Sequence, residues 1–435
     1  MRKRLGYLAI LGAVALVAAA CAEDGDGAAD GDGAAQECPD TEFGCVEIGS
    51  GEAIRLGSIL TISGDTASLG LDSQHGIDLA LDFRDGTFDG TLGQVAGHDV
   101  EFQHEDGGCT AEGGTAAGTL LASDPTIAAV IGTSCSSSAL GAADQILSDE
   151  GIILISPSNT SPALTDPATR QPFYFRTAHN DGIQGAAVAQ FASEELGAST
   201  AATIHDGSPY ADGLQQGFCD VFASQYNGEC TSREAIQVGD TDFAPLLTSI
   251  AADQPEILFY PIFLPEGGLI TAQARENPDY EDVALAGADG LLTPDFVDSA
   301  GADNAEGVFL SGPSLEFAGD FYQEEFLPAY QDQFGEEPTA AFHAHSFDAA
   351  NMLFDAIEAV AIETDDGGLL IPKTQLRDEL GATEGFEGIT GSLTCDENGD
   401  CQPSATIAVN EVADGDVNNP VFEATLELEE TQEAA

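Results

Sequence analysis

The stretch IAAVIGTSCSSS, residues 127–138, joins an apolar run to a cluster of small hydroxyl side chains. The run Ile127–Ile131 has the length and aliphatic content of a buried strand. A helix is predicted soon after it, over Ser138–Leu147, so the hydroxyl residues lie where a strand passes into a helix. Backbone N–H groups at the start of a helix lack partners within the helix and can bind an anion. Ser136 is therefore a candidate partner for a carboxylate, with ordinary N-terminal capping by serine as the alternative.

The same alternation of strand and helix continues on both sides of this stretch. The predicted strands are short and aliphatic, and the predicted helices carry apolar residues at helical spacing. The strands are Ile54–Ile62, Val100–His104 and Ile152–Ile155, and the helices are Ser73–Phe83 and Ala111–Ala122. Strands that alternate with helices indicate βαβ units, a parallel sheet and the α/β class.

The alternation begins again after about residue 176. Its helices are Gly182–Leu196, Ala211–Tyr226 and Phe243–Ala251, and its strands are Ala201–His205, Ala235–Val238, Ile257–Phe263, Val283–Ala286 and Val308–Leu310. Two long helices (Phe321–Phe334, Ala340–Ile362) and hairpin-like strands (Ile389–Thr394, Ala405–Val409, Ala424–Leu428) follow. A chain that leaves one lobe, builds a second and returns forms two lobes with several crossings. We expect the ligand crevice between them, beyond the carboxyl ends of the strands.

A second hydroxyl-rich segment, ISPSNTSP at residues 155–162, follows another predicted strand at the same edge of the sheet. Its two prolines oppose helix formation and leave hydroxyl and carbonyl groups in a loop. Thr160 could bind the carboxylate or the amine of a ligand, and the alternative is a turn stiffened by proline. Two such loops at one sheet edge favour a binding site.

The charge balance excludes several classes of partner. Lys and Arg number 11 and Asp and Glu number 76, which gives a formal net charge of −65. A nucleic-acid binder needs clustered cationic side chains to release counterions from the phosphate backbone, and docking on anionic lipid needs them too. We therefore expect no nucleic acid among the partners. Because the carboxylates are spread over the whole chain, we hypothesise that it is adapted to high salt.

The first residues have the composition of an export signal. A short basic segment precedes the apolar run Leu5–Ala20, which is too short for a comfortable membrane span. The run ends in AAAC, which resembles a bacterial lipobox, so we predict a lipoprotein signal peptide over residues 1–21 with Cys21 lipid-modified. An ordinary signal-peptidase site nearby is the alternative. Residues 22–53, which begin with a stretch rich in Gly, Ala and Asp, are predicted to form an acidic tether.

The cysteines agree with export. Eight remain when Cys21 is set aside, and they fall as the pairs Cys38/Cys45, Cys109/Cys135, Cys219/Cys230 and Cys395/Cys401. In an exported protein such pairs predict disulfides, although eight cysteines allow many connectivities. Zinc is the alternative, but a zinc site needs closer cysteine spacing and further Cys or His ligands. We therefore predict no metal.

No constellation typical of catalysis is present in the sequence. It lacks a Gly-x-Ser-x-Gly elbow, a Gly-rich phosphate loop and a dinucleotide-binding fingerprint. His343 and His345 lie two residues apart on a predicted helix and so point to different faces, which disfavours a metal pair. We predict a binding protein with no enzymatic activity and no cofactor; an exported hydrolase is the alternative from another functional class.

Five segments together resemble the branched-chain amino-acid-binding proteins of ABC importers. They are SCSSS (134–138), ILISPSNTSPALT (153–165), FYFRTA (173–178), IHDGSPYADGL (204–214) and TDFAPLL (241–247). The resemblance extends from about Ile54 to about Val412. It implies the α/β fold of a type I periplasmic binding protein, in which a three-crossover hinge joins two Rossmann-like parallel-sheet lobes. It also implies delivery of the ligand to a membrane permease without catalysis.

The resemblance implies roles for individual residues. Ser136 would hold the ligand carboxylate, Thr160 would contact both carboxylate and amine, and the backbone carbonyl of Asn159 would accept from the ammonium group. Tyr210 would close over the ligand from the second lobe. The pair Cys109/Cys135 matches the disulfide of the family and would brace the serine loop.

Three further positions depart from the family pattern. Asp289 lies where the family has a glutamate that pairs with the ammonium group, Phe263 where it often has tyrosine, and Leu69 where an aromatic residue often lines the side-chain pocket. A shorter acid and a wider pocket leave the ligand open, because apolar pockets discriminate weakly between aliphatic groups. The alternative is a same-fold binding protein or sensor for an amide, urea or another small polar ligand.

These observations combine into a predicted organisation. Lobe 1 comprises residues 54–178 and 313–390, lobe 2 comprises residues 179–312 and 391–428, and residues 429–435 form a tail. We expect a monomer, held by its lipid anchor on the outer face of the cytoplasmic membrane. It would capture a branched-chain or related aliphatic amino acid and pass it to the permease of an ABC importer.

Overall fold

A computed structural model describes residues 37–402 and 404–428 of the chain. The strands are β1 (Cys45–Ile48), β2 (Ile54–Leu60), β3 (Val100–Asp106), β4 (Ile127–Gly132), β5 (Ile153–Ser156), β6 (Tyr174–Arg176), β7 (Thr200–His205), β8 (Glu229–Ala235), β9 (Ile257–Phe259), β10 (Ala284–Gly287), β11 (Phe309–Pro313), β12 (Ile362–Glu363), β13 (Leu369–Pro372), β14 (Phe386–Gly388), β15 (Gly391–Leu393), β16 (Ser404–Glu411) and β17 (Pro420–Glu427). The helices are α1 (Ala67–Asp82), α2 (Ala111–Ala122), α3 (Ser136–Ser138), α4 (Asp144–Asp149), α5 (Asp181–Glu194), α6 (Pro209–Ser224), α7 (Ala244–Ala251), α8 (Glu266–Glu276), α9 (Pro294–Ala300), α10 (Ala302–Ala305), α11 (Leu327–Phe334), α12 (His343–Val360) and α13 (Lys373–Gly381). One π-helical turn, Ala139–Ala143, joins α3 to α4, and another, Tyr322–Phe326, precedes α11.

The first lobe is built on a five-stranded parallel sheet in the order β3-β2-β4-β5-β6. All six residues of β4 are buried. Because side chains alternate along a strand, Ile131 belongs to a core shared with α1 and α12, whereas Val130 belongs to a smaller core shared with α2 and α4. Because helices cover both faces of the sheet, its strands are apolar along most of their length, and these apolar runs are what predict the strands.

The second lobe contains a seven-stranded sheet in the order β17-β16-β11-β10-β9-β7-β8. The strands from β11 to β8 are parallel, β16 is the antiparallel neighbour of β11, and β17 pairs antiparallel with β16 at the edge of the sheet. Its core is rich in phenylalanine; Phe218 lies 5.3 Å from Phe222 and 5.1 Å from Phe259, measured between ring centroids. The predicted α/β class and paired parallel sheets are confirmed.

Three segments connect the lobes. The first lies between the end of β6 at Arg176 and the start of α5 at Asp181, and the second follows the end of β11 at Pro313. The boundaries expected from the sequence, at residues 178–179 and 312–313, lie in or next to these segments. For the third crossing, the chain belongs to the first lobe as far as residue 402 and to the second lobe from β16, whereas the sequence predicts this crossing at residues 390–391.

The difference arises because residues 391–402 pack with the first lobe. Strand β15 pairs with β14, and Leu393 and Cys401 belong to the core of the first lobe. The amide of Cys401 also donates to the carbonyl of Arg176 at 3.0 Å. The prediction that lobe 2 begins again at residue 391 is therefore wrong, because a hairpin pattern does not reveal which sheet the hairpin joins.

The predicted tether is also too long at its carboxyl end. Strand β1 lies within residues 22–53 and pairs antiparallel with β13 of the first lobe. Val46 is fully buried and Ile48 nearly so. The alternating apolar residues of this short strand indicate folded structure despite the acidic sequence that precedes it.

The sequence predicts a strand at Ala235–Val238, but the structure has β8 instead, which lies earlier in the chain at Glu229–Ala235. It is the edge strand of its sheet, and most of its side chains are partly or fully exposed. An edge strand needs no continuous apolar run, and the apolar residues that suggested a strand lie just beyond it. Helices α8, α9 and α13 are not predicted from the sequence either.

All four proposed cysteine pairs are disulfide-bonded. Cα atoms of the pairs are separated by 5.8 Å (Cys38–Cys45), 5.1 Å (Cys109–Cys135), 5.8 Å (Cys219–Cys230) and 3.6 Å (Cys395–Cys401). Within residues 37–402 and 404–428, no group of three or more His, Cys, Asp or Glu side chains could hold a metal ion. His343 is buried beside Asp72, with Nδ1 3.0 Å from Oδ2, and His345 is buried as well.

None of the helices described is long and apolar enough to span a membrane. The predicted signal peptide (residues 1–21), Cys21 and the predicted tail (residues 429–435) lie outside the described residues.

Candidate functional site

A small cavity of about 20 Å³ lies between the lobes, at the carboxyl ends of their parallel strands. Leu69, Ser134, Cys135, Ser136 and Ser158 line it from the first lobe, Tyr210, Phe263, Asp289 and Gly290 line it from the second, and Phe342 lines it from the segment before α12. Five of the seven residues predicted to bind ligand therefore share one cavity. The other two, Asn159 and Thr160, are fully buried in an adjoining loop.

The loop after β4 brings a helix N-terminus to the cavity. Gly132 has a φ of +138°, and a Cβ atom there would lie 2.3 Å from the carbonyl oxygen of Ile59, so the chain can turn this way only at glycine. Helix α3 then begins at Ser136, whose Oγ accepts from the amide of Ser161 at 3.3 Å. The Cys109–Cys135 disulfide fixes the preceding residue. Such an arrangement of hydroxyl and amide groups suits an anion.

The loop after β5 is tied to the loop after β4. The Oγ of Ser156 accepts from the amide of Asn159 at 2.9 Å and donates to the carbonyl of Thr133 at 2.8 Å. The side chain of Asn159 donates to the same carbonyl at 2.8 Å and accepts from Thr133 Oγ1 at 3.0 Å. Its side chain therefore holds the two loops together.

Arg176 supports this second loop from inside the hinge, and sequence reasoning did not single it out. Its side chain is fully buried and forms an ion pair with Asp400, with Nη2 2.9 Å from Oδ2. It also donates to the carbonyls of Asn159 at 3.3 Å and Ser161 at 2.9 Å. A buried charge needs such pairing, and here the pairing also orients the loop that contains Thr160.

On the opposite side, the second lobe presents a buried acid. Asp289 follows β10, and its Oδ1 accepts from Gln184 Nε2 at 2.8 Å and from the Tyr210 hydroxyl at 3.0 Å. Gln184 is itself oriented, because its Oε1 lies 2.6 Å from Nε2 of His179. Burial raises the pKa of Asp289 to about 6, although the two hydrogen bonds act in the opposite direction.

The rest of the lining is largely apolar. The rings of Tyr210 and Phe263 lie 5.0 Å apart between centroids, and Leu69 and Phe342 complete the apolar surface. Phe263 keeps the ring expected at its position without a hydroxyl group. The cavity thus has one end formed by hydroxyl groups and a helix N-terminus, an acidic end and an apolar wall.

Two further residues near the acidic end, Thr160 and Asp181, are fully buried. Burial raises the pKa of Asp181 well above its ordinary value, and the charge of Asp289 raises it further, whereas the neighbouring Thr160 side chain acts in the opposite direction. Asp181 and Gln184 are absent from the sequence-based set. The one feature of the sequence that could have indicated these two residues is their position shortly after the FYFRTA segment.

Comparisons with known proteins agree with this architecture. A model of the periplasmic binding protein family matches residues 53–416. The leucine-, isoleucine-, valine-, threonine- and alanine-binding protein of Pseudomonas aeruginosa is 27% identical over 308 residues, which cover 71% of this chain and 78% of that protein.

Two solved structures share the two-lobed fold. A leucine-binding protein of Thermotoga maritima superimposes with a TM-score of 0.74 at 25% identity, over 87% of this chain and 100% of that one. The branched-chain amino acid transporter substrate-binding protein of Streptococcus pneumoniae, in complex with isoleucine, gives a TM-score of 0.71 at 25% identity, over 86% and 100% of the two chains. Because the family model spans most of the sequence and the fold agrees with it, this chain belongs to the periplasmic binding protein family.

Proposed function

We propose that this protein captures a branched-chain or related aliphatic amino acid between its lobes and delivers it to the permease of an ABC importer. A periplasmic binding protein acts outside the cytoplasm and binds its solute without enzymatic change, as the sequence predicts. The relatives from Pseudomonas aeruginosa and Streptococcus pneumoniae are named for binding or transporting such amino acids, which supports this choice of ligand.

The observation that carries the proposal is the placement of opposite electrostatic ends around one cavity. Ser136, at the start of α3, belongs to the first lobe, and Asp289 belongs to the second. A zwitterion removed from water needs both of its charges paired. The carboxylate would bind at the helix N-terminus with Ser136 and Thr160, and the ammonium group would bind to Asp289 and to the carbonyl of Asn159.

The apolar wall would receive the side chain of the ligand. Leu69, Tyr210, Phe263 and Phe342 offer no charge in that region, which suits an aliphatic group. Contacts from both lobes give the ligand a higher affinity for the closed form than for the open form, and this difference drives closure. The permease can then distinguish the closed, ligand-bound protein from the open, empty protein.

Lipid attachment at Cys21 and a monomeric state complete the proposal. The sequence of the lipobox supports the anchor, which would keep the protein at the outer face of the cytoplasmic membrane next to the permease. The segment between Cys21 and β1 would then act as the tether.

Calorimetric titration of the exported chain, refolded to remove carried-over ligand, tests the proposal. We expect tight one-to-one binding of leucine, isoleucine or valine, and little or no binding of acetamide or urea. The double variant Ser136→Ala/Asp289→Ala should lose affinity by roughly 100-fold or more, because charge-assisted hydrogen bonds at both ends are removed.

Asp295→Asn, an exposed acid in the first turn of α9, is the matched control and should bind as the wild type does. Unchanged affinity in the double variant would contradict the assigned site. Binding of an amide or urea in place of amino acids would keep the family and change the function to the alternative ligand class.

A further inference from the structure

A second, larger cavity opens on the first lobe. It has a volume of about 370 Å³ and lies between the end of α1, the helix α12 and the hairpin of β14 and β15. Its aromatic lining residues all belong to the core of the first lobe or pack against it. None of its described lining residues lines the cavity between the lobes. This first-lobe cavity therefore does not depend on closure of the two lobes.

Phenylalanine rings form one wall of the first-lobe cavity. Between ring centroids, Phe321 lies 5.1 Å from Phe83 and 6.2 Å from Phe347, and Phe83 lies 6.1 Å from Phe347. Phe386, in β14, adds a fourth ring from the hairpin. Phe83, Phe321 and Phe386 are partly exposed, so aromatic surface is accessible to a molecule that enters. Aromatic rings attract cations, because the face of each ring carries negative charge density.

A buried carboxylate lines the same cavity. Asp348, in α12, accepts from the amide of Ile389 at 2.9 Å through Oδ1, and from the amide and hydroxyl of Thr390 at 2.8 Å and 2.7 Å through Oδ2. Gly388 allows this close approach of the hairpin, since a Cβ atom there would lie 2.4 Å from Asp348 Oδ2. Burial raises the pKa of Asp348 to about 6, so the carboxyl group remains mostly ionised at pH 7.

This negative charge has no cationic partner on the described part of the chain. The described Lys, Arg and His side chains form no ion pair with Asp348. Arg84 is already paired with Asp355 at 2.8 Å and with Glu358 at 2.9 Å. Glu387, an exposed lining residue, adds a second carboxylate. Because a buried charge is costly unless it is compensated, the cavity suits a cation that comes from outside the chain.

The hydrogen bonds of Asp348 indicate the kind of cation. A primary ammonium group has three N–H donors and needs acceptors for them. The carboxylate of Asp348 already accepts three hydrogen bonds from the hairpin, so few acceptor positions remain on it. A quaternary ammonium group has no N–H donors and is attracted by negative charge and aromatic surface alone.

We propose that the first-lobe cavity binds a small quaternary ammonium compound, whose charged group lies between the phenylalanine wall and Asp348. The inference goes beyond the proposed function and does not rest on it. Because the site belongs to one lobe, we expect the same affinity whether the lobes are open or closed. Bound amino acid should therefore neither compete with the quaternary ammonium compound nor be required for its binding.

Calorimetric titration of the exported chain with choline and with 3,3-dimethylbutan-1-ol tests this site. The two molecules have the same shape, but the alcohol has a carbon atom in place of the charged nitrogen. We expect choline to bind one-to-one, with an affinity higher than that of the alcohol by roughly 10-fold or more. Ethanolamine, the primary ammonium analogue, should bind more weakly than choline. In 1 M KCl, where the Debye length is about 3 Å, the general attraction of a cation to the net charge of −65 is screened.

Variants of the lining residues separate the site from general attraction. Phe321→Leu and Phe386→Leu each remove one ring and keep an apolar side chain. Each should weaken choline by roughly 5-fold and leave the weak binding of the alcohol almost unchanged. Asp348→Asn should remove the preference for choline over the alcohol; the two phenylalanine variants keep the test valid if this change disturbs the hairpin. Phe102→Leu, which removes a partly exposed ring of β3 outside the cavity, is the matched control and should bind choline as the wild type does.

Leucine distinguishes the first-lobe cavity from the cavity between the lobes. Saturating leucine, or the double variant Ser136→Ala/Asp289→Ala, should leave the affinity for choline unchanged. Competition between leucine and choline would assign choline to the cavity between the lobes and refute the first-lobe site, while the proposed function would stand.

Three further results would also refute the site: no binding of choline, equal affinity for choline and the alcohol, or unchanged choline binding in both Phe386→Leu and Asp348→Asn. If the wild type binds choline as expected but binds no amino acid, the proposed function fails and the first-lobe site stands.

Discussion

Asp289 destabilises the empty fold at neutral pH, because burial raises its pKa to about 6. In the unfolded chain an aspartate has a pKa of about 3.9. Between these values the folded state holds a proton that the unfolded state has lost, so the free energy of unfolding falls as pH rises through this window. Asp289→Asn keeps an oxygen for Gln184 and Tyr210 and removes the charge. We expect it to raise the free energy of unfolding by about 1–3 kcal/mol at pH 7.

Urea unfolding at pH 4 and pH 7 measures this effect. The difference between Asp289→Asn and the wild type should shrink to about 0.5 kcal/mol at pH 4, where the carboxyl group is protonated in the folded state and about half protonated in the unfolded state. Asp295→Asn, at an exposed site, should leave the free energy of unfolding almost unchanged at both pH values. A variant that is less stable than the wild type at pH 7 would contradict the prediction.

Some residues of the site can be predicted from the sequence, and others cannot. Ser136, Tyr210 and Asp289 lie within segments whose combined order resembles a family, so they could be placed without a structure. Asp181 could not, because an acid at the start of a helix is typical of favourable charge on an exposed surface. Its burial depends on contacts with distant segments such as the loop that contains Thr160, which no local pattern encodes.

At the scale of elements, one buried ion pair joins the hinge to the binding loop. Arg176 ends β6, Asp400 lies in the loop closed by Cys395–Cys401, and both side chains are buried. Removing one partner of a buried pair leaves an uncompensated charge. We expect Asp400→Ala to lower the free energy of unfolding by about 3–5 kcal/mol. The affinity for the ligand should fall as well, because the guanidinium group would no longer be fixed against the loop that contains Thr160.

Urea unfolding with a double-mutant cycle tests this pair. Arg176→Met/Asp400→Leu should recover much of the lost stability, since it removes both charges, yet it should not recover affinity. The control is Asp220→Ala, which removes the partner of Arg233 in a largely exposed pair with an N–O distance of 3.8 Å. That change should cost at most about 1 kcal/mol. A similar small effect for Asp400→Ala would refute the prediction.

Strands and helices, like single residues, can be predicted where a local sequence pattern determines them, but not where distant contacts do. Strands β4 and β5 are covered on both faces, and their apolar runs predict them well. Strands β1 and β8 escape prediction, since a short strand and an edge strand need few apolar residues. The predicted strand Ile389–Thr394 overlaps β15, but its lobe is set by distant contacts such as that between Cys401 and Arg176.

At the scale of the whole molecule, the net charge of −65 opposes the compact state. Folding brings the carboxylates closer together, and the 11 Lys and Arg residues can pair with only a small fraction of the 76 acids. Salt weakens this repulsion, because the Debye length falls from about 10 Å at 0.1 M to about 3 Å at 1 M. We expect the melting temperature to rise by roughly 5 °C or more between 0.1 M and 2 M KCl.

The shape of the salt dependence distinguishes screening from a general effect of excluded solutes. Screening should produce most of the rise below about 1 M, where the Debye length changes most. Exclusion of a co-solute strengthens apolar burial in almost any protein and grows with concentration, so sucrose at equal osmolality is the control and should reproduce little of the early rise. A melting temperature that is unchanged or lower in molar KCl would mean that the acids are already far enough apart in the folded state, and that the composition does not reflect a saline environment.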